Sequence, residues 1–268
     1  MKAFRRTISS ILLFFFTLRV SRWLLTSFFL SKKVAVGTRN SSIWFPTWLT
    51  VDLQGADITL NLSQHERLPF DNDSKSIVYS SHMIEHISPE TLKFFLRESY
   101  RILEKGGIIR LEAPDPVKII EAYKTGNHGF FKDMIKDAEY IDSTKGGTGI
   151  YLQEHIQFIG TISCYVENDA HVPVIASKEE IDKNLDIMSD QEFGAWAVSL
   201  QTPEQLSTHG HQNPVNYEIV SGLLIGIGFE KISEKAIGES DIDGFRAGRR
   251  TIERPERAFL SFYIEAFK

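Results

Sequence analysis

The sequence predicts an α/β fold built on an open, mostly parallel sheet, and residues 76–114 carry most of that prediction. Two short runs, IVY at 77–79 and IIRL at 108–111, have the apolar, β-branched content of buried parallel strands. Between them, apolar residues recur at steps of three and four from Leu92 to Leu103, which is the period of an amphipathic helix. Strand, helix and strand in this order predict a right-handed crossover between parallel strands.

A glycine pair follows the helical pattern. Because helices commonly end at glycine, we expect Gly106 and Gly107 to terminate this helix. Ligands of open α/β sheets bind beyond the carboxyl ends of the strands. The strand at 77–79 runs into Ser81 and His82, so we expect functional side chains there.

Shorter apolar runs predict the strands that precede this crossover. Residues 34–36, followed by Gly37, predict the first strand and its turn. Residues 49–53 predict the second strand, and residues 57–62 predict a short third strand. The segment YIEAFK at the end of the chain predicts the last strand.

Composition excludes some classes of partner. The 268 residues contain 42% apolar and 24% charged residues, as ordinary globular proteins do. The net charge of −5 is unevenly distributed, because residues 1–33 hold seven basic and no acidic residues, which leaves 23 basic and 35 acidic residues in the rest. A body with a net charge of −12 argues against a nucleic-acid partner. The single cysteine, Cys164, excludes an intramolecular disulfide.

Several segments resemble the class I S-adenosylmethionine-dependent methyltransferases, and most closely a small bacterial group with an SSHxxEH segment after its fourth strand. In chain order these segments are VAVG at 34–37, VDL at 51–53, LPF at 68–70, SSHMIEH at 80–86, YRILEKGG at 100–107 and APD at 113–115. A segment that begins at His209 resembles the part with which that group completes its sheet. The resemblance implies a Rossmann-like open twisted sheet with an antiparallel last strand, and S-adenosylmethionine as cofactor.

The resemblance also implies a donor site along the ends of the first four strands, formed by Gly37, Asp52, Leu53, Asn61, Leu62, Ser81 and His82. A carboxylate at a strand end can accept hydrogen bonds from both ribose hydroxyls, which is the role expected of Asp52. Asn61 and Leu62 match the position that meets the adenine.

The glycine loop departs from the family pattern. Ala35 and Arg39 stand where most of the family has an acidic or Asn residue and a second glycine. This departure leaves open an alternative, namely a non-catalytic binding protein that kept the fold and lost the donor.

The residues after the fourth strand are the predicted catalytic ones. A hydroxyl acceptor gains from a general base with a pKa near neutral, which is typical of histidine, so we expect His82 or His86 to take this role. The expected function is O-methylation of a small-molecule or glycan acceptor. The expectation of a sugar acceptor rests on association, because members of the similar bacterial group often accompany polysaccharide assembly.

The same residues allow a second enzyme class. His82-Met83-Ile84-Glu85-His86 matches H-x-x-E-H, in which two histidines one helical turn apart bind zinc and the glutamate activates water. That motif belongs inside a long helix, whereas here it follows a strand and Pro89 stands three residues later. We therefore predict no metal ligands and keep a zinc metalloprotease as the alternative.

Residues 1–31 predict a basic amphipathic helix that precedes a methyltransferase domain at 32–268. Two central arginines, Arg19 and Arg22, each cost roughly 2.5 to 3.5 kcal/mol in a spanning helix, so an interfacial helix over residues 5–30 is favoured. Packing on the sheet or on a second subunit is the main alternative, and a signal peptide is a third. The expected location is the cytoplasm, on the inner face of a membrane.

Residues 126–208 have a mixed polar pattern without a repeat. We interpret them as an insertion that covers the acceptor side of the domain, because acceptor-binding parts commonly come as loops and insertions.

Overall fold

The structure is a computed structural model that describes residues 31–38, 48–131, 139, 142–143, 146–163, 174–208, 210–243, 245 and 257–268. The predicted N-terminal helix, except Ser31, lies outside these residues, and so do Arg39, Cys164 and His209. Within the described part of the chain, no helix is both long enough and apolar enough to cross a bilayer.

Among the described residues, seven strands form one sheet in the order β3-β2-β1-β4-β5-β7-β6. The strands are β1 (Lys33–Val36), β2 (Leu49–Asp52), β3 (Ile58–Thr59), β4 (Lys75–Ser81), β5 (Leu103–Pro114), β6 (Glu230–Lys235) and β7 (Ser261–Phe267). Neighbouring strands from β3 to β5 pair in parallel, and β7 pairs antiparallel with both β5 and β6. This arrangement confirms the predicted mostly parallel sheet with an antiparallel last strand.

Helices and short 3₁₀ turns occupy the connections between the strands. The helices are α1 (Pro89–Ile102), α2 (Pro116–Lys124), α3 (His128–Phe131), α4 (Glu154–Ser163), α5 (Lys178–Ile187), α6 (Asp190–Ser199), α7 (Pro203–Thr208) and α8 (Tyr217–Ile227). The 3₁₀ turns are Leu62–Gln64, Ile84–His86 and Ile150–Leu152.

The crossover predicted from the sequence is present between β4 and β5. Helix α1 begins after Ser88, whose hydroxyl accepts a hydrogen bond from Thr91 N at 3.2 Å, and Pro89 occupies its first turn. Its apolar stripe of Leu92, Phe95 and Leu96 is fully buried in the main hydrophobic core. The period of three and four in the sequence therefore corresponds to the face that packs against the sheet.

The glycine pair does not end this helix, so that part of the sequence prediction is wrong. Helix α1 ends at Ile102, and Leu103 is already extended and paired with Lys75 of β4. Gly106 lies within β5 with φ +81°, at the point where the register with β4 shifts. Burial of Leu103 in the sheet terminates the helix, and the glycine supplies the left-handed residue that the irregular strand needs.

The third strand is shorter than predicted. It contains only Ile58 and Thr59, and Leu62 begins a 3₁₀ turn instead of extending the strand. The turn starts there because the Asn61 side chain accepts a hydrogen bond from Ser63 N at 3.0 Å.

An ion pair on α1 holds the LPF segment at 68–70 that precedes β4. Glu98 accepts hydrogen bonds from Leu68 N at 3.0 Å and from both Nε and Nη2 of Arg101, at 2.8 and 2.7 Å. Arg101 in turn donates to the carbonyl oxygens of Leu68 and Phe70. These bonds therefore pack the loop that contains residues 68–70 on α1.

Helices α2 to α6 build a second apolar core beside the sheet. Ile119 and Ile120 of α2 pack with Phe158 of α4 and Phe193 of α6, all of them fully buried. Tyr123 stacks on Phe158 with ring centroids 4.1 Å apart. The described part of the predicted insertion is therefore anchored on α2, directly after β5. Whether it covers an acceptor stays a prediction.

The strand order reverses between β1 and β4, because the chain proceeds from β1 toward β3 on one side and from β4 toward β5 on the other. Such a switch point is where ligands bind in open α/β sheets. Gly37 follows β1 with φ +74°, and Met83 follows β4. A Cβ on Gly37 would lie 2.3 Å from Met83 Cγ, so the turn after β1 and the end of β4 are in close contact.

This contact gives a stability prediction for Gly37→Ala, with Gly106→Ala as matched control. Both glycines have a left-handed φ, and alanine costs about 1 to 2 kcal/mol in that conformation. A Cβ on Gly106 meets nothing within 4 Å, whereas one on Gly37 meets Met83. We expect Gly37→Ala to lower the free energy of unfolding by about 1 to 3 kcal/mol more than Gly106→Ala, as measured by urea denaturation. Equal losses in the two variants would contradict the close contact.

Candidate functional site

The structure brings the predicted donor residues to one edge of the sheet. Gly37, Asp52, Asn61 and His82 follow the carboxyl ends of β1, β2, β3 and β4, which are neighbours in the order β3-β2-β1-β4. Gly37 N donates to Val51 O at 2.8 Å, which fixes the turn after β1 beside the end of β2. With strands about 4.8 Å apart, the edge from β3 to β4 spans about 14 Å.

The end of β2 presents a carboxylate next to an exposed apolar side chain. Asp52 is half-buried, and its Oδ1 accepts a hydrogen bond from Leu53 N at 2.6 Å. Leu53 is 61% exposed. A carboxylate can hold ribose hydroxyls and an exposed apolar surface can cover a purine ring, so these two side chains fit a nucleoside.

The residues predicted for the adenine lie beside this position, and only one of their two side chains is accessible. Asn61 is half-buried, and its N–H donates to Glu66 Oε2 at 3.0 Å. Leu62 is 8% exposed and belongs to the main core, so its side chain is part of the packing under the turn. The contact of both residues with adenine stays a prediction.

Ala35, one of the two departures from the family pattern, has a structural reason. Its side chain is fully buried in a cluster that contains Trp48, Tyr79 and Phe245. Tyr79 and Phe245 meet edge to face, with ring centroids 4.9 Å apart. An acidic side chain at this position would be buried among aromatic rings, which is costly.

His82 is held between two buried carboxylates at the end of β4. Its Nδ1 lies 3.3 Å from Glu85 Oε1 and its Nε2 lies 3.4 Å from Glu112 Oε1. Nε2 is also 3.1 Å from the hydroxyl oxygen of Ser261, and that hydroxyl donates its own proton to Arg257 O. Ser261 therefore accepts from Nε2–H. The backbone of His82 is left-handed, with φ +48°.

The electrostatics of this cluster favour a charged imidazole. Burial by itself would lower the pKa of His82, but Glu112 and Glu85 outweigh it and raise the pKa above its usual value. Burial would likewise raise the pKa of Glu85, but its histidine neighbours, His82 first, lower it to about 2. A protonated His82 cannot accept a proton from a substrate. Its contacts therefore suit a positioning role better than that of the predicted general base.

Ser81 belongs to the same hydrogen-bond network. Its hydroxyl donates to Glu112 Oε2 at 2.8 Å, and Tyr79 donates to the same oxygen at 3.2 Å. Ser81 thus helps to orient the carboxylate that holds His82. A contact between Ser81 and the donor stays a prediction.

His86, the other predicted catalytic residue, lies closer to the surface. Its side chain is 37% exposed, against 11% for His82. The ring packs edge to face on His211, with centroids 4.9 Å apart, and His211 is 6% exposed. Burial lowers the pKa of His211 to about 4, so this ring is neutral.

Sequence reasoning missed the pairing of these two histidines. His211 lies 125 residues after His86, and its segment reaches the site through backbone bonds from Gln212 N and Asn213 N to Glu85 O. The two segments, SSHMIEH and the one that begins at His209, both occur in the family resemblance. That co-occurrence is the signal that could have found the contact.

The H-x-x-E-H interpretation fails on its helical requirement. His82 has a left-handed backbone and Ile84–His86 form a single 3₁₀ turn, so His82 and His86 do not share a helix. The two histidines instead face the same carboxylate oxygen, Glu85 Oε1, which lies 3.3 Å from His82 Nδ1 and 3.8 Å from His86 Nε2. The arrangement is not that of a zinc protease of this type.

Part of the chain matches a known protein family. The family model of the methyltransferase domain matches residues 47–111, from the approach to β2 through most of β5. Among curated proteins, none matches the chain.

Solved structures with a similar fold include an S-adenosylmethionine-dependent methyltransferase from Archaeoglobus fulgidus, with 12% identity, 94% of each chain covered and a TM-score of 0.41. One from Mesorhizobium loti has 13% identity, with 88% of this chain and 90% of that chain covered and a TM-score of 0.40. A possible histamine N-methyltransferase from Thermotoga maritima has 13% identity, with 94% and 96% covered and a TM-score of 0.39.

The family-model match includes β2, β3, β4, α1 and most of β5, which are the elements that carry Asp52, Asn61 and His82. The sheet that contains them is mostly parallel, and β7 is antiparallel to its neighbours. Residues 47–111 therefore match the methyltransferase domain family, and they lie within a mostly parallel, Rossmann-like sheet.

Proposed function

We propose that the chain transfers the methyl group of S-adenosylmethionine to a hydroxyl oxygen of a polar acceptor, and that the acceptor is a glycan or a sugar-like small molecule. The observation that carries this proposal is the polar character of the site beyond the end of β4. His82, Glu85, His86 and His211 all meet there.

The donor end of the site combines apolar surface with the Asp52 carboxylate. Leu53 is exposed beside Asp52, and the Gly37 turn packs on Met83. The two ends of the edge therefore suit different molecules, a nucleoside near β2 and a hydrophilic acceptor near β4. Apolar acceptors would leave the charged groups near β4 without partners, which costs free energy.

Positioning supplies much of the rate in such a reaction. A methyl group bound to a sulfonium is transferred by in-line displacement, so the acceptor oxygen must be held about 3 to 3.5 Å from the methyl carbon. Glu85, Glu112 and Ser261 hold the His82 ring and together form what we call the His82 clamp. This clamp serves the positioning by fixing the backbone at the end of β4. Of the two predicted bases, only His86 is accessible enough to meet a substrate hydroxyl.

This function predicts the product and the effect of one substitution. With S-adenosylmethionine and an oligosaccharide as substrates, we expect S-adenosylhomocysteine to form and NMR to locate the new methyl group on an oxygen. Asp52→Asn should raise KM for the donor roughly 10- to 100-fold and change KM for the acceptor little, because it removes charged hydrogen bonds to the ribose.

Asp73→Asn is the matched control, since Asp73 is exposed at the opposite, amino end of β4 and should leave both KM values unchanged. A methyl group found on nitrogen or carbon would exclude the proposed O-methylation. An unchanged donor KM in Asp52→Asn would remove Asp52 from the donor site.

We further propose that residues 5–30 bind the surface of an anionic membrane. The support comes from the sequence, where seven basic residues and no acidic ones accompany two apolar runs in residues 1–33. The segment joins the described domain at Ser31, which is buried directly before β1.

Sedimentation with lipid vesicles tests this attachment. We expect the full chain to pellet with anionic vesicles, and a variant lacking residues 1–30 to stay in the supernatant. Vesicles of neutral lipid are the control, and they should bind the full chain less because the basic charges gain nothing there. Undiminished pelleting of the shortened chain would exclude residues 5–30 as the anchor.

A further inference from the structure

Three potential metal-ligand side chains converge beside the end of β4. One ligand atom from each of Glu85, His86 and His211 lies within 4.8 Å of the other two. Glu85 and His86 come from one 3₁₀ turn, and His211 comes from the segment that leads to α8. Two imidazoles and one carboxylate form a donor set that suits zinc and similar divalent transition metals.

The hydrogen bonds of His86 and His211 leave the Nε2 atom of each ring available to bind a metal ion. Nδ1 of His211 lies 2.9 Å from Ile162 O, and Nδ1 of His86 lies 3.4 Å from Gly210 O. A carbonyl oxygen can only accept, so each Nδ1 carries a proton and each Nε2 of a neutral ring has a lone pair. Metal-bound histidines typically have this arrangement, in which a backbone carbonyl orients the ring.

The third side chain is a buried carboxylate that lacks hydrogen bonds. Glu85 is 3% exposed, and neither of its oxygens has a hydrogen-bond partner among the described residues. The nearest side-chain nitrogens are His82 Nδ1 at 3.3 Å and His86 Nε2 at 3.8 Å from Glu85 Oε1. Burial of a carboxylate without hydrogen bonds costs free energy that a bound cation would offset.

The two segments that carry the three side chains are held rigidly. Gln212 N and Asn213 N donate to Glu85 O at 2.7 and 3.1 Å, so the two backbones are joined next to the cluster. His211 N donates to Ser163 O at 2.7 Å, and Gln201 Nε2 donates to His211 O at 2.7 Å. These bonds fix the positions of the ligand-bearing residues without any ion.

We propose that Glu85, His86 and His211 bind one divalent transition-metal ion of the zinc type. Three protein ligands leave one position of a tetrahedral ion for water or another ligand. Tetrahedral bonds of about 2.0 to 2.1 Å place donor atoms about 3.3 Å apart, so the cluster, whose ligand atoms lie within 4.8 Å of one another, must contract by up to about 1.5 Å. The His86 side chain has the freedom to make that movement, because it is the most exposed of the three.

The site differs from the H-x-x-E-H motif of the sequence, because His211 replaces His82 as a ligand. It also changes the role of His86, since a metal ligand and a general base would both use Nε2. The two roles exclude each other, and metal binding is measurable without any methyl acceptor.

Titration of the purified full chain after chelation and dialysis tests the proposal. We expect one equivalent of Co²⁺ to bind with the visible absorption of a four-coordinate site, and Zn²⁺ to displace it. His86→Gln and His211→Gln should each weaken binding at least 10- to 100-fold. His128→Gln is the matched control, because His128 also pairs with a glutamate, Glu154, but lies on the surface outside the cluster.

His86→Gln is the variant with the least risk of misfolding, because its side chain is 37% exposed, and circular dichroism checks that it is folded. Failure of the native chain to bind Co²⁺ or Zn²⁺ would overturn the proposal, and so would binding that survives in His86→Gln. Calorimetry with S-adenosylhomocysteine on the metal-free chain separates this outcome from the proposed function. Donor binding without metal binding would reject the metal site alone.

Discussion

The arrangement of the site depends on the clamp that holds His82. The two ring nitrogens of His82 face Glu85 and Glu112. The backbone of His82 is left-handed, so β4 ends before this residue and the chain turns out of the sheet here. Glu112 lies on β5, Ser261 lies on β7, and His82 itself follows β4. Three neighbouring strands therefore meet around one imidazole. Because an uncompensated charge is costly inside a protein, these partners have to stay together.

The clamp also places the two halves of the edge relative to each other. Met83, directly after His82, packs on Gly37, and Gly37 N is bonded to Val51 O beside Asp52. A chain of contacts therefore runs from the proposed acceptor side at β4, across the switch point, to the predicted donor side at β2. On the far side, Glu85 is bonded through its carbonyl oxygen to the segment that carries His211.

Local patterns were enough to predict the crossover from β4 to β5, because the apolar period of α1 is set by the face that it buries. The glycine pair was misread, since the end of α1 is determined by the pairing of Leu103 with Lys75, a contact that the local sequence does not reveal. The meeting of His86 with His211 could not be predicted either, because it joins positions 125 residues apart. Turn and helix signals are local, whereas the composition of a site is decided by tertiary contacts.

The central claim is that the donor lies along the edge from β3 to β4. Hydrogen–deuterium exchange with and without S-adenosylhomocysteine tests it most directly. The account predicts slower exchange on ligand binding in peptides that contain residues 36–38, 52–54, 60–64 and 81–83, and no change in those that contain residues 103–107 at the opposite end of the sheet. Protection that falls elsewhere, or that omits the ends of β1 and β2, would contradict it.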